Sequence, residues 1–151
     1  MVDVRAKGAR GETQARDEMR KLTGLKWERT PGSGALDPKH ILKGDLYVVN
    51  ADNAYCVEVK NYEDSPIDHG LVSSKSPLFV TFWDQCQRQA KQVNKKPLLI
   101  FKHNRSKLFV AFEGMLEGDA NHLYLVRTDT PECCICLLSD WITHNEPKFI
   151  K

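Results

Sequence analysis

No stretch of this 151-residue chain is apolar for the ~20 residues that a bilayer-spanning helix requires, so no membrane partner is expected. The opening MVDVRAKGARGETQARDEM is charged from its start and has no apolar signal core, so the expected location is cytoplasmic, in a prokaryote or in the host of a phage. Also missing are a glycine-rich dinucleotide fingerprint and a nucleophile motif, which removes the usual support for a small-molecule enzyme. No recognition helix, zinc finger or aromatic stacking stripe stands out, so any nucleic acid is expected to be read by shape rather than base sequence. The five histidines (40, 69, 103, 122 and 144) are scattered and read as incidental.

Cysteine is scarce and odd in number. Three of the five, Cys133, Cys134 and Cys136, crowd into CCIC. An odd count does not suit a disulfide framework and points to a reducing compartment. Zinc is the sharper reading of the cluster, but no second cysteine or histidine pair lies nearby and His144 is the only loose candidate. The simpler reading is a buried strand that uses cysteine as a small hydrophobe. With 41% hydrophobic and 28% charged residues, the chain has the balance of a globular protein rather than a disordered one, and its length suits one domain, residues 1–151.

The net charge of +2 hides a division. Residues 1–30 hold eight Lys/Arg against five Asp/Glu, and residues 83–107 hold seven against one, while the segments between and after are acidic. Two basic segments suit a nucleic-acid partner. A solvated helix face with a lysine-rich loop would give the same count.

The spacing of Ala15, Met19 and Leu22 predicts a helix over 8–23 with one narrow apolar stripe, and Gly24 is its stop. Glu12 falls on or beside that stripe, where a carboxylate needs a partner or a task. Arg10, Arg16 and Arg20 would line its flank, toward solvent or phosphate. LKWER reads as a short strand and TPGSGALDPKH as loop. DLYVV and AYCVEVK are strands joined by NADNA. Residues 61–80 carry no period. A second helix is predicted over FWDQCQRQAKQVNKK with Phe82, Cys86, Ala90 and Val93 buried. PLLIFKHN, KLFVAFEG, HLYLVRT and CCICLL are strand candidates, and WITHNEPKFIK is a short helix or tail. The order predicts an α/β domain with one central sheet.

The chemistry concentrates in KGDLYVVNADNAYCVEVK. Strand alternation puts Cys56, Glu58 and Lys60 on one face and Val57 and Val59 on the core face. Across the hairpin, Asp45 approaches Glu58. Two adjacent carboxylates raise each other's pKa unless a cation joins them, and Mg²⁺ takes one or two carboxylates while leaving room for phosphate oxygens. Lys60 would orient a water or stabilise charge at phosphorus, and Glu12 would be a third acid. A Glu and a Lys two apart are also an ordinary same-face pair on an exposed strand, so the pattern gains its force from Asp45, Glu12 and the Gly-Ser-Gly loop together.

Gly44-Asp45, then Glu58-Val59-Lys60, with the upstream helical Glu12, resembles the PD-(D/E)xK nuclease superfamily, with Gly44 in the place of the motif's proline. The run KGARGETQARDEMRKL, then GLKWERTPGSG, then the hairpin is most similar to archaeal-type Holliday junction resolvases, over about residues 7–60. The resemblance implies a restriction-endonuclease-like fold, a central mixed sheet flanked by helices. It implies a Mg²⁺-dependent endodeoxyribonuclease, with Mn²⁺ able to substitute, acting as a homodimer on four-way DNA junctions. Glu12, Asp45 and Glu58 would be the metal-binding acids, Lys60 the catalytic lysine and Ser33 the loop serine near the scissile phosphate. Arg10, Arg29, Gly32, Ser33, Gln85 and Arg88 would contact DNA. An exposed apolar sheet edge or LFVTFW (78–83) would supply the dimer interface. The alternatives are another nuclease of the superfamily, of flap, end or restriction type, and a non-catalytic DNA-binding module of the same fold.

Overall fold

The computed structural model describes residues 4–31, 43–73 and 75–151. Helix α1 (Val4–Thr23) leads to strands β1 (Trp27–Arg29), β2 (Leu46–Val48) and β3 (Tyr55–Tyr62). A short helix α2 (Gly70–Ser73) and the longer α3 (Leu78–Gln92) follow, then β4 (Lys96–His103), β5 (Phe109–Phe112), β6 (Leu123–Arg127), β7 (Thr130–Leu137) and α4 (Leu138–Asn145). The strands form one mixed sheet in the order β1-β2-β3-β4-β5-β7-β6. Only β3 and β4 run parallel, joined by the crossover through α3; the other pairs are antiparallel. The expected central mixed sheet flanked by helices is met.

Both faces of the sheet are covered. On one, Ala15 and Met19 of α1 and Trp141 of α4 pack on Val57, Val59, Leu98 and Ile100. On the other, Phe79, Trp83 and Cys86 of α3 pack on Leu99, Phe101, Ala111, Cys133 and Ile135. A strand buried on both sides must be apolar without alternation, which is why β4 reads PLLIF. Helix α1 ends at Gly24, whose φ of +73° and N–H bond to the Arg20 carbonyl make a left-handed cap.

The cysteine cluster resolves as strand. Cys134 and Cys136 of β7 point into one core layer and Cys133 into the other, and all five cysteines are free and buried. The His144 ring lies against Gly118. Burial pushes the Cys133 and Cys136 thiols up to about 12.

Three expectations need correction. Helix α3 begins at Leu78, earlier than expected, and its buried residues are Phe79, Val80, Trp83, Cys86 and Ala90, so the inward face is rotated and Phe82 is only half-buried. LFVTFW is therefore mostly spent on the core: Phe79, Val80 and Trp83 are inside, and Leu78 is its exposed large hydrophobe. Arg16 and Arg20 do not wait for phosphate. Arg20 meets Glu28 at 2.6 Å and the Trp27 carbonyl at 2.7 Å, and Arg16 reaches Glu28 at 3.7 Å, which fastens α1 to β1.

Buried thiols far above their ordinary pKa do not react. Dithiobis(nitrobenzoate) should therefore titrate no thiol in the native protein and five after unfolding. Rapid native labelling of the CCIC segment would contradict the packing.

Candidate active site

The site grows from a fork in the sheet. Strand β2 pairs with β3 at Leu46–Val57, and β3 then continues for five residues beyond that pair. At the fork the Asp45 N–H donates to the Val57 carbonyl at 2.6 Å. The Asp45 carboxylate accepts the Val59 N–H at 2.8 Å, taking the place that a continuing strand's carbonyl would fill. The Asp45 carbonyl in turn accepts the Thr30 N–H at 2.9 Å, so the backbone of this residue is fixed from both neighbouring strands. Gly44 makes the turn into the fork with φ +94°, and a Cβ there would lie 2.7 Å from the Val57 carbonyl oxygen. The residue that departs from the superfamily's proline is thus required by the geometry, since proline is locked near φ −65°.

Glu58 is 6% exposed, because α3 closes the face on which it stands. Desolvation, followed by the charge of Asp45 and a side-chain hydrogen bond to it, raises the Glu58 pKa to about 8. In the cation-free protein the pair therefore favours keeping a proton well above the usual carboxylate range. Glu12, half-buried on α1, is also raised, first by desolvation and then by Asp45; Arg29, at 3.4 Å, and Lys60 pull it down. All three acids thus belong to one electrostatic unit. Asp45 and Glu58 form its inner pair, and Glu12 is held at the rim by Arg29.

Lys60 follows on the same face of β3 as Glu58. Among the described residues it makes no ion pair; its ammonium lies 4.4 Å from the centroid of the Phe82 ring. Phe82 sits 5.8 Å from the Tyr62 ring, so the lysine rests on an aromatic pair while its charge still reaches Glu58 and Glu12. Asn61 donates to the Lys7 carbonyl at 3.1 Å, and Gly11 leaves room for its Cβ, which clamps α1 against the strand that carries the site.

Glu12, Asp45, Glu58 and Lys60 are thus brought together, with Arg29 on Glu12. Arg10 is not: two residues along a helix turn about 200°, and it lies exposed on the opposite flank of α1 from Glu12, in a groove of about 560 Å³ with Thr13, Gln14, Asp17 and Lys21. On α3, Gln85 is half-buried and Arg88 exposed. Gly32 and Ser33 lie outside the described residues. Sequence reasoning missed Phe82 as the seat of Lys60, since its helical spacing assigned it to the core. Thr30 was missed as the second anchor of Asp45, and nothing in a short polar strand end signals that role.

The donor set fits a hard divalent cation. Two adjacent carboxylates, one desolvated and raised by the other, are relieved by a positive ion. Among the described residues no three His, Cys, Asp or Glu side chains form a metal-holding group, so the remaining ligands would be water and phosphate oxygens.

Two outcomes follow. A carboxyl raised from 4.5 to about 8 binds its proton more tightly in the folded chain, so its contribution to stability falls as pH rises between those values. In EDTA, wild type should lose stability relative to Glu58→Gln from pH 5 to 8, read by thermal melts; parallel curves would contradict this. Gly44→Pro, which restores the superfamily's residue, should destabilise the fold by roughly 1–3 kcal/mol in urea unfolding. A neutral result would remove the backbone requirement.

The sequence matches the family described as "Phage putative PDDEXK endonuclease" over residues 3–150. Protein D14 of Escherichia phage T5 is 40% identical over 151 residues, covering 95% of this chain and 94% of its own. Among solved structures, Hjc of Archaeoglobus fulgidus, a Holliday junction resolvase from an archaeal hyperthermophile, aligns at 19% identity with a TM-score of 0.46, over 91% of this chain and 93% of that one. With the family matched over nearly its whole length and the acids and lysine gathered at one fork, the chain belongs to the phage PD-(D/E)xK endonuclease family.

Proposed function

We propose that this PD-(D/E)xK DNA nuclease is a divalent-metal-dependent, structure-specific endonuclease that cuts four-way DNA junctions as a homodimer, in the cytoplasm of the phage's host. The observation that carries the chemistry is the pairing of buried Glu58 with half-buried Asp45, with Lys60 resting beside it on Phe82. Asp45 and Glu58 would hold Mg²⁺, or Mn²⁺ in its place, with Glu12 as the third acid of the site, held at its rim by Arg29. A cation bound there supplies a water of lowered pKa and charge stabilisation at the phosphate.

The chain's own groups divide the remaining work. Asp45 is oriented by the Val59 N–H, so its free oxygen faces the pair without a search over rotamers. Glu58 gives up its proton when the cation binds. Lys60, resting on Phe82, is available to a phosphate oxygen or to the attacking water. Arg29 holds Glu12 and is placed to exchange that carboxylate for a DNA phosphate. Ser33 and Gly32, which lie outside the described residues, and Arg10, Gln85 and Arg88 are assigned to the DNA backbone.

Recognition of shape is supported by composition and size. The sheet and its helices account for the described residues, and no added recognition module stands among them. Backbone contacts then dominate affinity, and binding depends steeply on salt.

Labelled four-way junction and matching linear duplex, each with Mg²⁺ and with EDTA, separate the levels of this reading. Paired symmetric nicks in the junction alone, dependent on Mg²⁺, are the expected result. Cutting of both substrates would keep the nuclease and discard the junction preference. Asp45→Asn, Glu58→Gln and Lys60→Ala should each lower the cleavage rate by at least about a hundredfold, with junction affinity within a few-fold of wild type. Full cutting by any one would remove that residue from the site.

A further inference from the structure

The carboxyl-end rim of β3 and β4 carries a second group of cations that the catalytic fork does not use. Strand β4 ends in the sequence KHNRSK (102–107), a tight turn into β5. Its form is fixed by its own bonds: the Ser106 N–H donates to the His103 carbonyl at 3.0 Å, the His103 N–H to Ser106 Oγ at 2.9 Å, and Ser106 Oγ–H to the Lys107 carbonyl at 2.8 Å. Arg105 takes a left-handed conformation with φ +66°, uncommon for arginine. The turn is tied to α1 by a hydrogen bond from the Lys7 ammonium to Asn104.

Lys102, Arg105 and Lys107 make no ion pair among the described residues, and Arg105 and Lys107 are exposed. The adjoining segment contributes Glu63, whose carbonyl accepts the Asn104 N–H, and Asp64. Lys7, Lys102, Arg105 and Lys107 outnumber these two carboxylates, so the rim is net cationic.

Its placement relative to the fork is set by the register. Lys102 pairs with Asn61, the residue after Lys60, and His103 pairs with Tyr62. Tyr62 lies four strand steps from Glu58, about 13 Å at ~3.3 Å per residue. Along a duplex that distance is about four nucleotides at ~3.4 Å each. A rigid, unpaired basic turn at that spacing suits the sugar–phosphate backbone of a duplex arm, because lysine and arginine on a fixed turn meet phosphates without ordering a loop.

We infer that the 102–107 turn, with Lys7, is a backbone-binding rim that holds the duplex arm on one side of the scissile phosphate, about three to five nucleotides from the cut. This rests on the nuclease reading above and adds the path of the DNA. The rim sits at one end of β3 only, so the contact is one-sided.

The test is equilibrium binding in EDTA across a salt series, with wild type and the triple variant Lys102→Gln/Arg105→Gln/Lys107→Gln. The probe is a four-way junction with full-length arms, alongside junctions in which one arm at a time is shortened to about three base pairs. The expected result is a salt slope smaller by about two to three in the variant, with affinity lowered about ten- to a hundredfold. Shortening one particular arm should weaken wild type and leave the variant unchanged. The single variant Arg105→Gln, with a slope change of about one, carries the test if the triple variant melts early.

An unchanged slope in the variant, with tight binding by wild type, would overturn the rim and leave the nuclease reading standing. A loss that is the same for every arm and for heparin would reduce the turn to a general anion patch and also overturn it. Failure of wild type to bind any DNA would sink both readings together.

Discussion

Two carboxylates that repel each other, Asp45 and Glu58, set the terms for the rest of this molecule. They meet where β2 stops and β3 goes on, so the sheet must fork there. The fork leaves the Val59 N–H without a strand partner, and Asp45 supplies one through its side chain. The turn that delivers Asp45 passes so close to Val57 that only glycine fits. Helix α3 seals the other side and takes water away from Glu58, which is what lifts its pKa so far. A pair held this way is at odds with itself until a proton or a cation joins it, which is the ground for proposing it as the cation site.

The cations are sorted as carefully as the acids. Arg16 and Arg20 are used to fasten α1 to β1 through Glu28, and Arg29 occupies Glu12. Among the described residues Lys60 is the cation whose charge acts on Glu58, and it rests on an aromatic ring instead of closing a salt bridge. A direct Lys60–Glu58 bridge would neutralise the pair internally and leave little field for a metal. The Phe82 seat keeps both charges available, which gives a half-buried aromatic on α3 a place in the site's electrostatics.

Much of the fold was legible because its signals are local. The apolar period of α1, its glycine stop, the hairpin around NADNA and the later strands follow from spacing and turn chemistry alone. So did the convergence of Asp45 with Glu58, since strand register forces it, and the identity of CCIC as core. The misreadings share one cause: they concern which neighbour a face meets. The face of β3 that carries Glu58 and Lys60 was set opposite the core, because alternation cannot reveal that α3 covers it. The inward side of α3 was misjudged because Phe79 and Trp83 compete with Phe82 for the core. Arg10 and Glu12 lie two apart in sequence and on opposite flanks of a helix, a separation that follows from helical geometry. Pairing of Arg16, Arg20 and Arg29 with Glu28 and Glu12 depends on where β1 lands, which no local pattern gives.

Membership of the phage endonuclease family and the geometry of the fork lead to the same chemistry from independent directions. The claim that joins them is that a divalent cation replaces the proton shared within the Asp45–Glu58 pair. Calorimetric titration of Mn²⁺ into the protein at pH 7, in two buffers of different ionisation enthalpy, measures that exchange directly. A cation-holding pair requires release of close to one proton per ion in wild type, and loss of both binding and release in Asp45→Asn. Binding that survives Asp45→Asn unchanged would place the metal elsewhere and contradict the assignment of the fork as the catalytic centre, while binding without proton release would contradict the raised pKa of the pair.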